Sequence, residues 1–66
     1  MLSVTINGDA RQVPPGSIAD MVQALGFRPD KIAVERNRAI VPRSTLGDVT
    51  VDDGDVFEIV HFVGGG

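Results

Sequence analysis

The strongest local folding signal in this sequence is a hairpin pattern near its start. Hydrophobic and polar residues alternate over residues 2–6, which is the period-two pattern of a half-buried β-strand. Asn7-Gly8 follows, and these residue types best tolerate the positive φ angles of a type I′ hairpin turn. A second strand is therefore predicted to run back through about residues 10–13. It ends at the Pro-Pro-Gly of residues 14–16, because proline cannot donate a hydrogen bond to a β-ladder.

An amphipathic helix is predicted after this hairpin. Ser17 is a suitable N-cap, because its hydroxyl oxygen can accept a hydrogen bond from a free backbone N–H of the first turn. Four apolar residues then occur at the i, i+3, i+4 and i+7 spacing of one helix face: Ile18, Met21, Val22 and Leu25. Gly26 can adopt the left-handed conformation that ends a helix, and Pro29 prevents the helix from continuing.

Two short strands are predicted in the middle of the chain. Residues 32–34 and residues 39–41 are apolar, and Asn37-Arg38 between them indicates a turn. Pro42 ends the second of these strands. Residues 43–51 are expected to form a loop that contains a short helical turn.

The last predicted strand is the most apolar segment of the chain. A tight turn is expected at residues 52–55, Asp-Asp-Gly-Asp, because these residue types tolerate positive φ. The strand then runs from residue 56 to about residue 63 and is apolar on both sides except at Glu58 and His61. Such a run indicates a central strand that is covered on at least part of both faces.

The order of these elements predicts an α+β fold of the β-grasp type seen in ubiquitin. A hairpin, a crossing helix and a final central strand form a mixed sheet of four to five strands packed on one main helix, with the last strand parallel to the first. The 66 residues suffice for one such domain, since a second core would need roughly 50 more residues. We expect the domain to span residues 1–63, followed by a flexible glycine tail at residues 64–66.

Composition argues against several classes of function. The formal net charge of −3 disfavours nucleic-acid binding, which requires a basic surface. With no cysteine and a single histidine, the chain lacks the usual zinc ligand sets, and we expect no metal site. No apolar run approaches the roughly 20 residues of a membrane span. We also expect no signal peptide before the first strand. We therefore expect no membrane association and a cytoplasmic location.

The sequence also lacks the usual patterns of an enzyme active site. His61 is the only histidine, and on a strand a packed or half-exposed histidine is commoner than a catalytic base. The nucleophile-elbow pattern Gly-x-Ser-x-Gly, the phosphate-binding loop and the dinucleotide-binding glycine pattern do not occur. We therefore expect that the isolated chain binds no cofactor and is not an enzyme.

Chemistry is expected instead at the Gly64-Gly65-Gly66 tail. Glycine has no Cβ, so this tail can enter a narrow channel, and three residues extend about 10 Å. A terminal carboxylate is ionised at pH 7 and can attack the α-phosphate of ATP, after which a sulfur nucleophile can convert the acyl-adenylate to a thiocarboxylate. The absence of cysteine is consistent with this chemistry, because no internal thiol can capture the activated acyl group. The alternative explanation of the three terminal glycines is a frayed chain end or a cloning remnant.

Four segments of the sequence match a known family. They are Val4-Thr5-Ile6-Asn7-Gly8, Ile32-Ala33-Val34-Glu35-Arg36-Asn37, Ile40-Val41-Pro42-Arg43, and Asp53-Gly54-Asp55 leading into Glu58-Ile59-Val60-His61-Phe62-Val63-Gly64-Gly65-Gly66. On these segments the chain resembles the sulfur carrier family of thiamine biosynthesis (ThiS), nearly from end to end. The last segment is the most specific of the four.

The resemblance implies a carrier that is a substrate of other enzymes. Gly66 would be the sulfur-carrying residue. An adenylyltransferase of the ubiquitin-activating type (ThiF-like) would use ATP to adenylate its carboxylate, and the resulting thiocarboxylate would donate sulfur to thiazole synthase (ThiG-like). Gly64 and Gly65 would form the threading tail, while Phe62 and Val63 would anchor the base of the tail against partners.

Two alternatives remain open from the sequence. The same tail chemistry would serve another pathway such as molybdopterin synthesis, because activation requires only the terminal carboxylate. A β-grasp interaction module with an incidental glycine tail would also have this sequence pattern. The final strand and residues 36–43 are candidates for the docking surface, and the free chain is expected to be a monomer.

Overall fold

The computed structural model of the chain describes residues 1–62. Within them lie one α-helix and five strands, in the order β1 (Leu2–Ile6), β2 (Asp9–Val13), α1 (Ile18–Ala24), β3 (Ile32–Arg36), β4 (Ala39–Val41) and β5 (Val56–His61). Short 3₁₀ turns occur at Pro29–Lys31 and Arg43–Thr45. The strands form a mixed sheet in the order β2-β1-β5-β3-β4, in which β5 is parallel to β1 and antiparallel to β3. The predicted β-grasp arrangement is confirmed.

Both hairpins turn through an asparagine with a left-handed backbone. In the first hairpin Asn7 and Gly8 have φ angles of 51° and 85°, as the central residues of a type I′ turn require. β2 begins directly after this turn, at Asp9. In the second hairpin the equivalent residues are Asn37 and Arg38, with φ angles of 50° and 70°. The predicted turns at both places are confirmed.

Local hydrogen bonds close both ends of α1. The Ser17 hydroxyl accepts a hydrogen bond from the Asp20 N–H at 3.0 Å, as predicted for an N-cap. At the other end Gly26 has a φ angle of 94°. Its N–H donates to the carbonyl three residues before it, and the Phe27 N–H donates to the carbonyl five residues before it, at 3.0 and 2.9 Å. This pair of bonds is the Schellman motif, which satisfies carbonyls that the helix leaves free.

The core lies between α1 and one face of the sheet. Among residues 1–62 its buried apolar side chains are Val4, Ile6, Val13, Ile18, Met21, Val22, Ile32, Val34, Leu46, Val51, Phe57 and Ile59. The helix contributes three of the residues that the sequence assigned to its apolar stripe, and Leu25 is only partly buried. Leu46 and Val51 show that the segment predicted as a loop also closes one end of the core.

The outer face of β5 is exposed, which corrects one expectation for this strand. β5 is central in the sheet, as predicted, but its side chains alternate, with Phe57 and Ile59 buried while Val56, Glu58 and Val60 are exposed. The expectation of cover on both faces is wrong because α1 lies on one face only, and an apolar run does not reveal how many layers pack on it. β5 ends at His61. The predicted extension to residue 63 and the tail at residues 64–66 lie outside the described residues.

Candidate functional site

The tail that is predicted to carry the chemistry follows β5, so the candidate site is built on the contacts that fix this strand. Phe62 is the last described residue. Val63, Gly64, Gly65 and Gly66, all predicted as site residues, lie outside the described residues. The contacts of β5 differ at its start, its middle and its end.

The start of β5 is held by Asn37, in the turn between β3 and β4. Its side-chain Oδ1 accepts a hydrogen bond from the Val56 N–H at 3.0 Å, and its own N–H donates to the Val56 carbonyl at 2.7 Å. Its Nδ2 donates to Asp55 Oδ1 at 3.1 Å. Asparagine tolerates the left-handed backbone of this position better than most residues. One turn residue therefore fixes where β5 begins.

A buried carboxylate holds the turn that precedes β5. Asp55 is only 5% exposed, and a buried charge is costly unless it is paired and hydrogen-bonded. Arg36 Nε lies 3.0 Å from Asp55 Oδ2, and the same oxygen accepts the Asp52 N–H at 2.8 Å. Arg36 Nη2 also lies 2.6 Å from Asp52 Oδ2. These bonds tie the turn at residues 52–55 to β3.

The middle of β5 is held from the other side by Asn7, in the turn after β1. Backbone pairing between β1 and β5 stops at Ile6↔Phe57. The Asn7 side chain continues it, because Oδ1 accepts the Ile59 N–H at 2.8 Å and Nδ2 donates to the Ile59 carbonyl at 3.1 Å. A side-chain amide thus takes the place that a further peptide unit of β1 would occupy.

The end of β5 is held from one side only. On the β3 side, pairing continues to Ile32↔His61, and the Phe62 N–H donates to the Lys31 carbonyl at 2.9 Å. On the β1 side, no hydrogen bond among residues 1–62 reaches β5 beyond Ile59. The last strand residues before the tail are therefore open along one backbone edge.

His61 and Phe62, at this end of β5, each make one contact through their aromatic rings. The Phe62 side chain is 47% exposed, and the Arg43 guanidinium carbon lies 5.1 Å from its ring centroid, within the range of a cation–π contact. The ring centroids of His61 and Phe27 are 6.2 Å apart, with a tilt of 59°, a favoured arrangement for an aromatic pair. Phe62 thus lies where the predicted tail begins. Its role as an anchor for partners stays a prediction.

Sequence reasoning missed the side chains that fix β5. Asn7 and Asn37 were interpreted only as turn residues, and Arg36 and Asp55 had no assigned contact. A usable signal was present for the asparagines, since both open the turn of a hairpin that flanks the most apolar strand. Nothing local in the sequence pairs Arg36 with Asp55.

Other chemistry has little support within residues 1–62. In this part of the chain no cluster of three histidine, cysteine, aspartate or glutamate side chains is placed to hold a metal ion. Each buried side-chain nitrogen or oxygen of these residues has a hydrogen-bond partner. Across the same residues, no helix has the length and apolar character needed to cross a membrane.

Comparisons with known proteins agree on one family. The model of the ThiS family matches residues 4–66 of the chain. The sulfur carrier protein ThiS of Bacillus subtilis is 41% identical over 51 residues, which is 77% of this chain and 77% of that protein. The crystal structure of the thiamine biosynthesis protein ThiS from Geobacter metallireducens is similar with a TM-score of 0.81 and 29% identity, covering 98% of this chain and 100% of that chain.

A longer relative contains a segment of the same kind. The thiazole synthase of Magnetococcus marinus is 41% identical over 66 residues, which is 98% of this chain but 20% of that protein. The chain therefore spans about a fifth of the length of this relative.

Proposed function

The chain belongs to the ThiS family, and on that basis we propose that it is a sulfur carrier of thiamine biosynthesis. Gly66 carries the sulfur as a thiocarboxylate, and the chain is a substrate of its partner enzymes, not a catalyst. One observation carries the proposal above the others: the family match covers residues 4–66, so it includes both the sheet that fixes β5 and the glycines beyond it.

Two steps convert the carboxylate of Gly66. In the first step a carboxylate oxygen attacks the α-phosphorus of ATP, and pyrophosphate leaves, which gives an acyl-adenylate. In the second step hydrosulfide attacks the acyl carbon, the carbon–oxygen bond to AMP breaks, and the thioacid loses its proton. Splitting the reaction in this way replaces a poor leaving group with a good one, which is the general advantage of an activated intermediate.

Two protein partners are part of the proposal. An adenylyltransferase of the ubiquitin-activating type supplies the ATP site, and thiazole synthase accepts the sulfur. The second assignment is supported by the Magnetococcus marinus thiazole synthase, one fifth of which matches this chain. A carrier-like segment within a thiazole synthase polypeptide indicates that the two activities work together. The carrier itself acts as a monomer in the cytoplasm.

The contacts of β5 support this role physically. Asn37 and Asn7 fix the start and the middle of the strand from opposite sides. Beyond Ile59 the strand is open on the β1 side, and the Phe62 ring is half exposed. A partner can therefore approach the base of the tail without first breaking the sheet, which suits a carrier that must bind two enzymes in turn.

Intact mass spectrometry tests the proposal directly. The 66-residue chain is incubated with its activating adenylyltransferase, ATP and sodium hydrosulfide, and fragmentation then locates any change in mass. We expect a gain equal to the replacement of one oxygen by sulfur, located at Gly66. Adding thiazole synthase together with its small-molecule substrates should return the mass to its starting value, because the substrate takes up the sulfur and an oxygen from the substrate or from water replaces it on Gly66.

A chain with a C-terminal amide at Gly66 is the matched control. It has the same length and the same fold but lacks the carboxylate oxygen that attacks ATP, so its mass should not change. The Bacillus subtilis ThiS serves as a positive control for enzyme activity. If that carrier is converted by its own activating enzyme while this chain is not converted by its own, the proposal is wrong. Conversion without transfer to thiazole synthase would point to a different sulfur acceptor.

A further inference from the structure

The turn between β1 and β2 contains a pair of residues with a chemistry of its own. Asn7 is followed by Gly8, and asparagine before glycine is the residue pair most prone to spontaneous deamidation. Glycine has no side chain, so its backbone nitrogen can approach the preceding asparagine side chain with little hindrance. The chain has only two asparagines, and the other, Asn37, is followed by the bulky Arg38. Asn7 is therefore the candidate site of this reaction.

Deamidation at this turn needs only the two residues, a base and water. The Gly8 backbone nitrogen loses its proton to the base and attacks Cγ of Asn7. The new N–Cγ bond closes a succinimide ring, the Cγ–Nδ2 bond breaks, and Nδ2 takes up a proton and leaves as ammonia. Water then opens the ring at either of its carbonyl carbons, which gives aspartate or isoaspartate. The reaction therefore requires Cγ of Asn7 to meet the Gly8 nitrogen.

The attacking nitrogen is accessible in the folded chain. Asn7 and Gly8 are both exposed. Apart from its two chain neighbours, no residue described by the structure has an atom within 4 Å of the position that a Cβ of Gly8 would take. Among residues 1–62 the Gly8 N–H also donates no hydrogen bond. Water and base can therefore reach this nitrogen.

The carbon that is attacked, in contrast, is held by β5. Asn7 Oδ1 accepts the Ile59 N–H at 2.8 Å, and Nδ2 donates to the Ile59 carbonyl at 3.1 Å. The backbone of Asn7 is held as well, because its N–H donates to the Phe57 carbonyl at 3.0 Å. Turning Cγ toward the Gly8 nitrogen changes the side-chain torsions of Asn7 and so breaks both bonds to Ile59.

We propose that Asn7 is a deamidation site that the fold keeps closed, and that it reacts only from an open state in which Asn7 has released Ile59. Local opening of a folded chain costs free energy. The native rate of deamidation is therefore the rate of the unfolded chain multiplied by the small fraction of open molecules. This inference is independent of the proposed carrier function, because it involves no partner protein and no residue of the tail.

The products cannot restore the contact with β5. In aspartate a carboxylate oxygen replaces Nδ2, so it has no hydrogen to donate and faces the Ile59 carbonyl oxygen. In isoaspartate the main chain of the turn gains a carbon atom, which disturbs the type I′ geometry on which the hairpin depends. A chain that has reacted therefore loses the hold of Asn7 on the middle of β5 permanently.

Ageing of the full chain at mildly alkaline pH tests the proposal. One sample is native and one is unfolded in guanidinium chloride, at the same pH and temperature. Intact mass spectrometry with fragmentation follows and locates the replacement of an amide NH₂ by OH. In the unfolded sample we expect Asn7 to react about tenfold or more faster than Asn37, whose neighbour Arg38 hinders the attack. In the native sample we expect Asn7 to react about tenfold or more slowly than in the unfolded sample.

Hydrogen exchange of the Ile59 amide makes the test quantitative. Its N–H is bonded to Asn7 Oδ1, so the same release of Asn7 is required for exchange and for deamidation. The factor by which the fold slows deamidation should therefore equal the protection factor of this amide within about threefold, measured by NMR at the same pH and temperature.

The variant Asn7→Asp reproduces one product of the reaction. We expect its melting temperature to be about 4–8 °C below that of wild type, because one hydrogen bond to Ile59 is lost and two oxygens face each other. An Asn7→Asp chain as stable as wild type would contradict the predicted damage to β5.

Two outcomes of the ageing experiment would overturn the proposal. Unfolded chain in which Asn7 is not converted would show that Asn7 is no deamidation site. Native chain that reacts as fast as unfolded chain, while the Ile59 amide stays protected, would show that ring closure does not require the release of Ile59.

Discussion

The two ends of β5 are held in different ways. At its start the strand is fixed from both sides, by backbone pairing with β1 and β3, by the Asn37 side chain and by the buried Asp55. At its end it keeps only its pairing with β3, and the Phe62 ring is half exposed. The difference teaches that the side-chain hydrogen bonds to β5 are made at its start and its middle. The end that leads to the tail is left accessible.

The largest effect is expected from Asp55→Ala, at the fixed start. The change leaves Arg36 without its buried partner and the Asp52 N–H without its acceptor. Because Arg36 is 23% exposed and keeps Asp52, we expect the free energy of unfolding to fall by about 2–3 kcal/mol, less than for a fully enclosed pair. Urea denaturation measures this. Asp48→Ala, at an exposed position, is the control and should change stability by less than about 0.5 kcal/mol.

A smaller loss is expected from Asn7→Ala, in the middle of the strand. It removes both hydrogen bonds to Ile59 and places alanine at a φ angle of 51°. We expect a loss of about 1–2 kcal/mol, measured in the same way. Asn7→Gly separates the two causes, because glycine tolerates the backbone but makes no side-chain bond. Equal stability of Asn7→Ala and wild type would show that the Asn7 bonds do not hold β5.

Hydrogen exchange compares the two ends without any substitution. The amide of Ile59 is bonded to Asn7 inside the sheet, whereas the amide of Phe62 is bonded to Lys31 beyond the end of β5. Local opening near the end of a strand requires less free energy than opening at its centre. We expect the Phe62 amide to exchange about tenfold or more faster than the Ile59 amide. Equal rates, measured by NMR, would contradict the proposed difference between the two ends.

The smallest effect on stability is expected from Phe62→Ala. Its ring is half exposed and lies against the exposed Arg43 guanidinium, so the free energy of unfolding should change by less than about 0.5 kcal/mol. The affinity for the activating adenylyltransferase should nevertheless fall several-fold. Phe57→Leu, at a fully buried position of the same strand, should show the reverse pattern, with stability lowered by about 1 kcal/mol and affinity unchanged. Normal binding by Phe62→Ala would remove this residue from the proposed site.

Elements that depend on short-range patterns were predicted correctly from the sequence. The Asn7-Gly8 turn, the Ser17 cap and the Gly26 stop each follow from the backbone preference of one or two residues, and the structure has all three. The central position of β5 was also predictable, because the strand is the most apolar segment of the chain.

Features that join distant residues were not predictable in the same way. Asn7 and Ile59 are 52 positions apart, and Asn37 and Val56 are 19 apart. No periodicity reports such contacts, because they depend on how separate elements are placed in space. The exposure of the outer face was mispredicted for a related reason. Val56 and Val60 make this face of β5 partly apolar, but the sequence does not show whether another element packs on it.

The antiparallel pairing of β5 with β3 has a mechanical consequence. A force applied to the carboxyl end of β5 along the axis of this strand acts perpendicular to the hydrogen bonds between β5 and β3. Such a force is shared by the hydrogen bonds of all five residue pairs between β5 and β3. These bonds are therefore loaded in shear together and do not break one after another. The domain can therefore resist traction on its carboxyl end.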